Sequence, residues 1–311
     1  MLRRVLLAAA ASQRVRQLIT TAPLTRDVVK RFVAGDDAAG VLAVTRRLLG
    51  QGLSVTIDYL GEDTVDREQA AAVAAEYVAL IELLARAGLT AGGRAEVSVK
   101  PTAVGLGLAE HGEKTAAENT GRICAAARAA GTTVTVDMED HTRVDATLRL
   151  VSDLRADFPD LGCVLQSYLR RSPGDCQALA VAGSRVRLCK GAYRAPDGFA
   201  FAARSEIDRS YARCLRILLD GDGYPMLATH DPRLVAIAKS RVTTVGRDPG
   251  SLEYQMLYGI RTDEQARLAA EGAQVRVYVP YGNDWYGYFM RRLAERPANL
   301  TFFLRALASR R

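Results

Sequence analysis

Histidine, tryptophan, cysteine and lysine are all scarce: the 311 residues hold three histidines, one tryptophan, five cysteines and five lysines. Three dispersed histidines (His111, His141, His230) argue against a multi-histidine metal centre. The cysteines (Cys124, Cys163, Cys176, Cys189, Cys214) are odd in number, widely spaced and free of any CxxC pair. That excludes a disulfide framework and points to reduced thiols in a cytoplasmic protein. No run of about 18 apolar residues exists, so no membrane-spanning helix is expected. The nucleotide and nucleophile signatures are missing too. Gly105-Leu106-Gly107 lacks the third glycine of a Rossmann fingerprint, and neither a P-loop nor a GxSxG elbow occurs.

What is present is a chain that is 49% hydrophobic and 25% charged, with 42 basic against 35 acidic side chains. The excess of 42 − 35 = 7 is nearly all arginine and is dispersed. It suits an anionic ligand or an anionic membrane face, and argues against nucleic acid. Met1-Leu-Arg-Arg followed by Val5 to Ala11 imitates a short signal peptide, but the apolar stretch stops at Ser12-Gln13-Arg14. An amphipathic helical extension over 1–49 is the better reading.

From residue 50 to 311 short β-branched runs alternate with alanine-rich stretches of helical periodicity. Strands are expected at 53–59, 95–100, 133–137, 163–166, 186–190, 226–230, 252–256 and 275–278. Helices are expected at 67–87, 115–129, 142–155, 205–219, 234–239 and 263–271. Eight strands interleaved with helices, with no composition break, predict an α/β chain forming one (β/α)8 TIM barrel. A doubly wound sheet is the alternative. The barrel places an active site at the C-terminal strand ends, where Lys100, Asp137, Gln166, Arg187, Lys190, Thr229, His230 and Tyr278 fall. Strand one runs into Asp58-Tyr59-Leu60-Gly61-Glu62, which adds carboxylates.

The strongest local signal is Trp285-Tyr-Gly-Tyr288-Phe-Met-Arg291-Arg292. On a helix, Tyr288, Arg291 and Arg292 share one face, and paired guanidiniums beside an aromatic ring make a receptor for a carboxylate or phosphate. A solvated basic helix face is the plainer alternative. Lys100 at a strand end suits either a Schiff-base nucleophile, as in a barrel lyase, or a cationic clamp. Asp137 would orient neighbouring cations, or simply start a helix. Arg187, Lys190 and Gly191 suit a phosphate or a flavin, and Gln166 offers an amide to a ring carbonyl or nitrogen.

Several motifs in order then resemble the proline dehydrogenase (proline oxidase) family, in its monofunctional bacterial form. They are Arg187-Leu-Cys-Lys-Gly-Ala-Tyr193, Leu227-Ala-Thr-His230, Glu253-Tyr-Gln-Met-Leu-Tyr-Gly259, Tyr278-Val-Pro-Tyr-Gly282 and Tyr288-Phe-Met-Arg-Arg-Leu293. The resemblance runs from about residue 50 to Phe303, and the first 48 residues match no motif. It implies a distorted (β/α)8 barrel binding FAD, with the last helix lying over the barrel mouth. The implied reaction oxidises L-proline to Δ1-pyrroline-5-carboxylate by hydride transfer from C5 to flavin N5, as the first step of proline catabolism. Electrons would pass to a membrane quinone through peripheral contact, and a separate pyrroline-5-carboxylate dehydrogenase would take the product.

Carried over by motif, Arg291, Arg292 and Lys100 resemble the cations that hold the proline carboxylate, with Asp137 orienting an arginine. Tyr193, Tyr278 and Tyr288 resemble the walls around the pyrrolidine ring. Met138, Gln166, Arg187, Lys190, Gly191, Ala192, Thr229 and His230 match flavin-contacting positions, Arg187 near N5, where it would stabilise the reduced ring. Glu62 resembles a gate residue that pairs with the arginine helix. Two competing readings are a Schiff-base lyase built on Lys100 and a non-catalytic carboxylate-binding protein. The related methylenetetrahydrofolate reductases share the chemistry, but paired arginines after a tyrosine-rich segment favour a small amino acid over a pterin.

Overall fold

The computed structural model describes residues 29–295, with side chains through Met290. The expected helices before residue 29, and the side chains of Arg291 and Arg292, lie outside the described residues. In chain order the elements are α1 (Ala38–Gly50), β1 (Ser54–Tyr59), α2 (Arg67–Arg86), β2 (Ala95–Val99), α3 (Gly112–Ala129), β3 (Val134–Val136), α4 (Val144–Leu154), β4 (Gly162–Gln166) and α5 (Ser172–Leu179). Then follow β5 (Arg185–Cys189), α6 (Arg204–Asp220), β6 (Tyr224–Ala228), α7 (Pro232–Val245), β7 (Glu253–Leu257), α8 (Thr262–Ala270), β8 (Val275–Tyr281) and α9 (Trp285–Glu295).

The eight strands pair in parallel, in sequence order, and β8 closes on β1. This is the (β/α)8 barrel the alternation predicts, and it excludes the doubly wound sheet. Each expected strand is present within about three residues at either end. Among the described residues the one unforeseen α-helix is α5, because Pro173 and Gly174 in its first turn hide the helical pattern. β8 runs on through Pro280 to Tyr281, although proline removes a ladder donor. Here the Pro280 carbonyl still accepts from the Ala34 N–H at 2.8 Å.

Helix starts follow ordinary capping chemistry. Asp37, Asp66 and Asp231 each accept a backbone N–H from within the first turn of α1, α2 and α7. The outward strand residues pack on the helices: Val55 and Ile57 share a fully buried cluster with Tyr77, Leu80, Ile81 and Leu84 of α2. Burying an aliphatic side chain of that size contributes about 1.5–3 kcal/mol. The same cluster takes in Val41 and Leu48 of α1, and α1 contacts both β1 and β8. That helix therefore fills the outer slot between the last strand and the first.

With the slot filled, α9 goes elsewhere. Its Trp285, Tyr286, Tyr288, Phe289 and Met290 pack on Leu60 after β1, Leu257 at the end of β7, Ile260 and Tyr278. All four are at the C-terminal rim, so the last helix lies over the barrel mouth, as the resemblance implies. Phe32, from the segment before α1, packs against Phe289 with ring centroids 6.2 Å apart. That segment needs Gly259: φ is +73°, and a β-carbon there would lie 1.7 Å from the Arg31 carbonyl oxygen. No helix among the described residues is long and apolar enough to cross a membrane.

Candidate active site

The barrel interior is polar. On β2, Glu96 and Ser98 point to the axis, while Ala95, Val97 and Val99 join the outer hydrophobic cluster. Glu96 meets Arg185 of β5 at 2.7 Å and Arg187 and Arg276 at 3.9 Å each. β2, β5 and β8 are not neighbours in the sheet, so these contacts cross the interior. Arg276 also binds Glu253 at 2.8 Å, and Glu253 accepts from the Gln255 amide at 2.5 Å. Burial pushes the Glu96 carboxyl up, but the three guanidiniums outweigh it and hold the group well below the usual carboxylate range.

At the top of this column stand the residues singled out at the strand ends. Arg187 is 4% exposed; it donates to Asp137 at 2.7 Å, to the Ser98 hydroxyl at 2.9 Å and to Gln255 at 2.5 Å. The second Asp137 oxygen accepts from the Tyr278 hydroxyl at 2.8 Å, and the Arg187 guanidinium lies 5.3 Å from the Tyr278 ring centroid. Burial and the adjacent Asp137 carboxylate hold the Tyr278 phenol well above its ordinary pKa, so it stays a hydrogen-bond donor. Lys100, just past β2, donates to both oxygens of the fully buried Asp58, at 2.6 and 2.5 Å. Burial alone would lower the Lys100 pKa, but Asp58, Asp137 and Glu62 raise it above its usual range. A clamped ammonium is a poor Schiff-base nucleophile, which weighs against the lyase reading.

The second half of the mouth lies over β4 to β7. Gln166 is 3% exposed and donates to the Met138 carbonyl at 3.1 Å. Its Oε1 is buried and accepts no hydrogen bond among the described residues. A buried amide oxygen left in that state normally has a partner, so the position is suited to a ligand donor. Lys190 binds Asp208 at 2.5 Å and Asp231 at 3.2 Å. Gly191 has φ +96°, and a β-carbon there would lie 2.2 Å from the Tyr168 ring. Only glycine lets this turn close over that ring. Thr229 accepts from the Asp231 N–H, and His230 Nε2 accepts from the Leu257 N–H at 2.9 Å, which leaves its proton on Nδ1. Ala192 and Tyr193 are half-buried in the loop that follows.

A family model described as "Proline dehydrogenase" matches residues 41–305. The chain is 39% identical to the proline dehydrogenase of Deinococcus radiodurans over 283 residues, covering 90% of each chain. The chain belongs to the proline dehydrogenase family. It is also 38% identical to proline dehydrogenase 1 of Bacillus subtilis, covering 91% of each. Among solved structures, the proline utilization A protein of Bdellovibrio bacteriovorus matches with a TM-score of 0.78 at 24% identity. That match covers 86% of this chain and 32% of the solved one, and it concerns the fold alone.

Within this family frame, the structure brings together Lys100, Asp137, Arg187 and Tyr278 at one rim, beneath the α9 helix that carries Tyr288. The hydrogen-bond partners of the Asp137 carboxylate among the described residues are Arg187, Ser98 and Tyr278. Glu62 sits in the loop after β1, close enough to act electrostatically on Lys100 and Glu139. Sequence reasoning read Asp58 only as a further rim carboxylate and gave no role to Glu96, Gln255 or Arg276. A signal existed: Thr56 and Asp58, Glu96 and Ser98, Arg185 and Arg187, and Glu253 and Gln255 stand two apart on their strands. A period of two places them on one face.

Proposed function

We propose that this protein oxidises L-proline to Δ1-pyrroline-5-carboxylate, using FAD and passing the electrons to a membrane quinone. The observation that carries the reading is the buried constellation of Lys100, Asp137, Arg187 and Tyr278 at the barrel mouth under the Tyr288-bearing helix, in a chain of the proline dehydrogenase family. Lys100, with Arg291 and Arg292, binds the proline carboxylate, and Tyr193, Tyr278 and Tyr288 enclose the pyrrolidine ring and exclude water. Asp137 keeps Arg187 and Tyr278 in place through its two oxygens. A substrate fixed in this way needs little further ordering to react.

The donor set fits a flavin: an unsatisfied Gln166 oxygen, a fixed Arg187, the cation of Lys190 and a glycine turn at 191. Met138, Ala192, Thr229 and His230 complete that holding set. FAD held there supplies a two-electron acceptor for the hydride from C5. The Arg187 guanidinium is fixed by hydrogen bonds to Asp137, Ser98 and Gln255, so it stabilises developing negative charge without reorganising. Electron transfer to a quinone takes place by peripheral contact at the inner membrane face. A separate dehydrogenase takes up the pyrroline-5-carboxylate.

The test is an absorption spectrum of the purified protein before and after L-proline. The expected result is a yellow protein whose visible bands bleach anaerobically on proline addition. A protein that stays colourless after reconstitution with FAD, and is trapped by borohydride with a keto substrate, would overturn the reading in favour of a lyase. Binding of proline without dye reduction would leave only a carboxylate-binding protein.

A further inference from the structure

Three loops at the barrel mouth meet at one side chain. Thr102, in the turn after β2, is 3% exposed and uses all its polar atoms. Its hydroxyl donates to Glu139 at 2.6 Å, and its N–H donates to the other oxygen of the same carboxylate at 2.8 Å. The hydroxyl oxygen also accepts from the Asp63 N–H at 3.2 Å. The Thr102 carbonyl accepts from the Thr64 N–H at 3.3 Å and from its hydroxyl at 2.9 Å.

Asp63 and Thr64 directly follow Glu62 in the loop between β1 and α2. Asp63 has φ +55°, a left-handed conformation uncommon outside glycine, and hydrogen bonding constrains it here. Thr102 supplies that constraint, since it receives the Asp63 N–H and both donors of Thr64. Glu139 in turn fixes Thr102 from the far side, and it is itself 4% exposed. Exposed loop segments usually bond to water and move with it; this one is bonded to a buried, doubly held threonine.

We propose that Thr102, anchored by Glu139, is a positioning residue that sets the loop carrying Glu62 over the barrel mouth. The consequence for catalysis rests on the proposed function together with the family resemblance, which implies that Glu62 is a gate beside the substrate cations. Thr102 touches neither substrate nor cofactor; it acts through Glu62. The hydroxyl of Thr102 is the critical group, because it alone joins the Asp63 N–H to the Glu139 carboxylate.

The experiment compares wild type, Thr102→Val, Thr102→Ser and Thr64→Val as purified full-length proteins. Hydrogen–deuterium exchange over residues 60–66 reads the loop, and steady-state proline kinetics read the gate. Thr102→Val is expected to speed exchange of that segment about tenfold and to raise KM for proline several-fold, with a smaller effect on kcat. Thr102→Ser, which keeps the hydroxyl, is expected to stay within about twofold of wild type in both. Thr64→Val sits in the loop itself and keeps the core intact; it is expected to speed exchange about threefold. Unchanged exchange over 60–66 in both valine variants overturns the anchoring. Faster exchange with unchanged KM overturns the link to the gate. Wild-type protein that does not oxidise proline overturns the proposed function, and the exchange comparison still decides the anchoring.

Discussion

The two faces of one strand, β2, live in opposite environments. Ala95, Val97 and Val99 pack outward into the hydrophobic shell beneath the helices, while Glu96 and Ser98, followed by Lys100, look into a column of ion pairs. The shell holds the barrel together through dispersed apolar area, which tolerates small changes in shape. The column holds four carboxylates (Asp58, Glu96, Asp137, Glu253) against four cations (Lys100, Arg185, Arg187, Arg276), all at least half-buried. Charges taken out of water are tolerated only in balance, so the inner face is far less forgiving than the outer. The balance also serves the mouth, since the same ladder of pairs that ends at Glu253 begins at Arg187 and Asp137.

The contrast is broken most severely at Glu96. Glu96→Ala leaves Arg185 without its 2.7 Å partner and removes the charge facing Arg187 and Arg276. A loss of about 3–5 kcal/mol in unfolding free energy is expected from urea titration. An unfolding midpoint near wild type would mean that the column is not held by this carboxylate.

Glu139 gives the pH-dependent counterpart. Burial raises its pKa from 4.5 to about 7, with Glu62 adding to the rise and the Thr102 hydrogen bonds opposing it. A carboxyl with a raised folded pKa gives stability that is full below its ordinary pKa and is lost as pH rises through the folded value. Wild type should therefore lose up to about 3 kcal/mol relative to Glu139→Gln between roughly pH 5 and pH 8. Parallel stability curves for the two proteins across that window would contradict the shift.

At the rim the effect moves from stability to substrate. Arg291→Ala or Arg292→Ala should raise KM for proline about a hundredfold, equivalent to about 2.7 kcal/mol, while the visible flavin spectrum is kept. Near wild-type proline kinetics in both variants would remove the carboxylate clamp. The outer face supplies the mildest case. Ile57→Val, buried against α2, should cost about 1 kcal/mol by thermal unfolding and leave KM for proline unchanged. A changed KM there would show that shell and column are coupled.

Much of the fold was legible because strand and helix periods differ and short, buried parallel strands read as β-branched runs. Val134-Thr-Val136 and Val275-Arg-Val277 are such runs, and both are strands. Helix α5 was hidden by Pro173 and Gly174, which are tolerated at a helix start yet read as a break. The strand-end residues Lys100, Asp137, Arg187 and Tyr278 could be named from their positions, but their pairing could not. Sequence suggested that Asp137 steadies an arginine of the last helix, whose side chains lie outside the described residues; the cation it meets among the described residues is Arg187 of β5, 50 positions away. Asp58 looked like one more rim carboxylate until the closure of β1 on β2 placed it 2.5 Å from the Lys100 ammonium.

By itself, the sequence determined the alternation of eight strands with helices and the order of motifs that marks the family. These are local properties, written in period, spacing and residue type. Tertiary structure decided that α1 fills the slot between β8 and β1, that α9 therefore covers the mouth, and which charge meets which inside the barrel. Those outcomes depend on barrel closure, which brings β2 within reach of β5 and β8 across an interior that no local pattern describes.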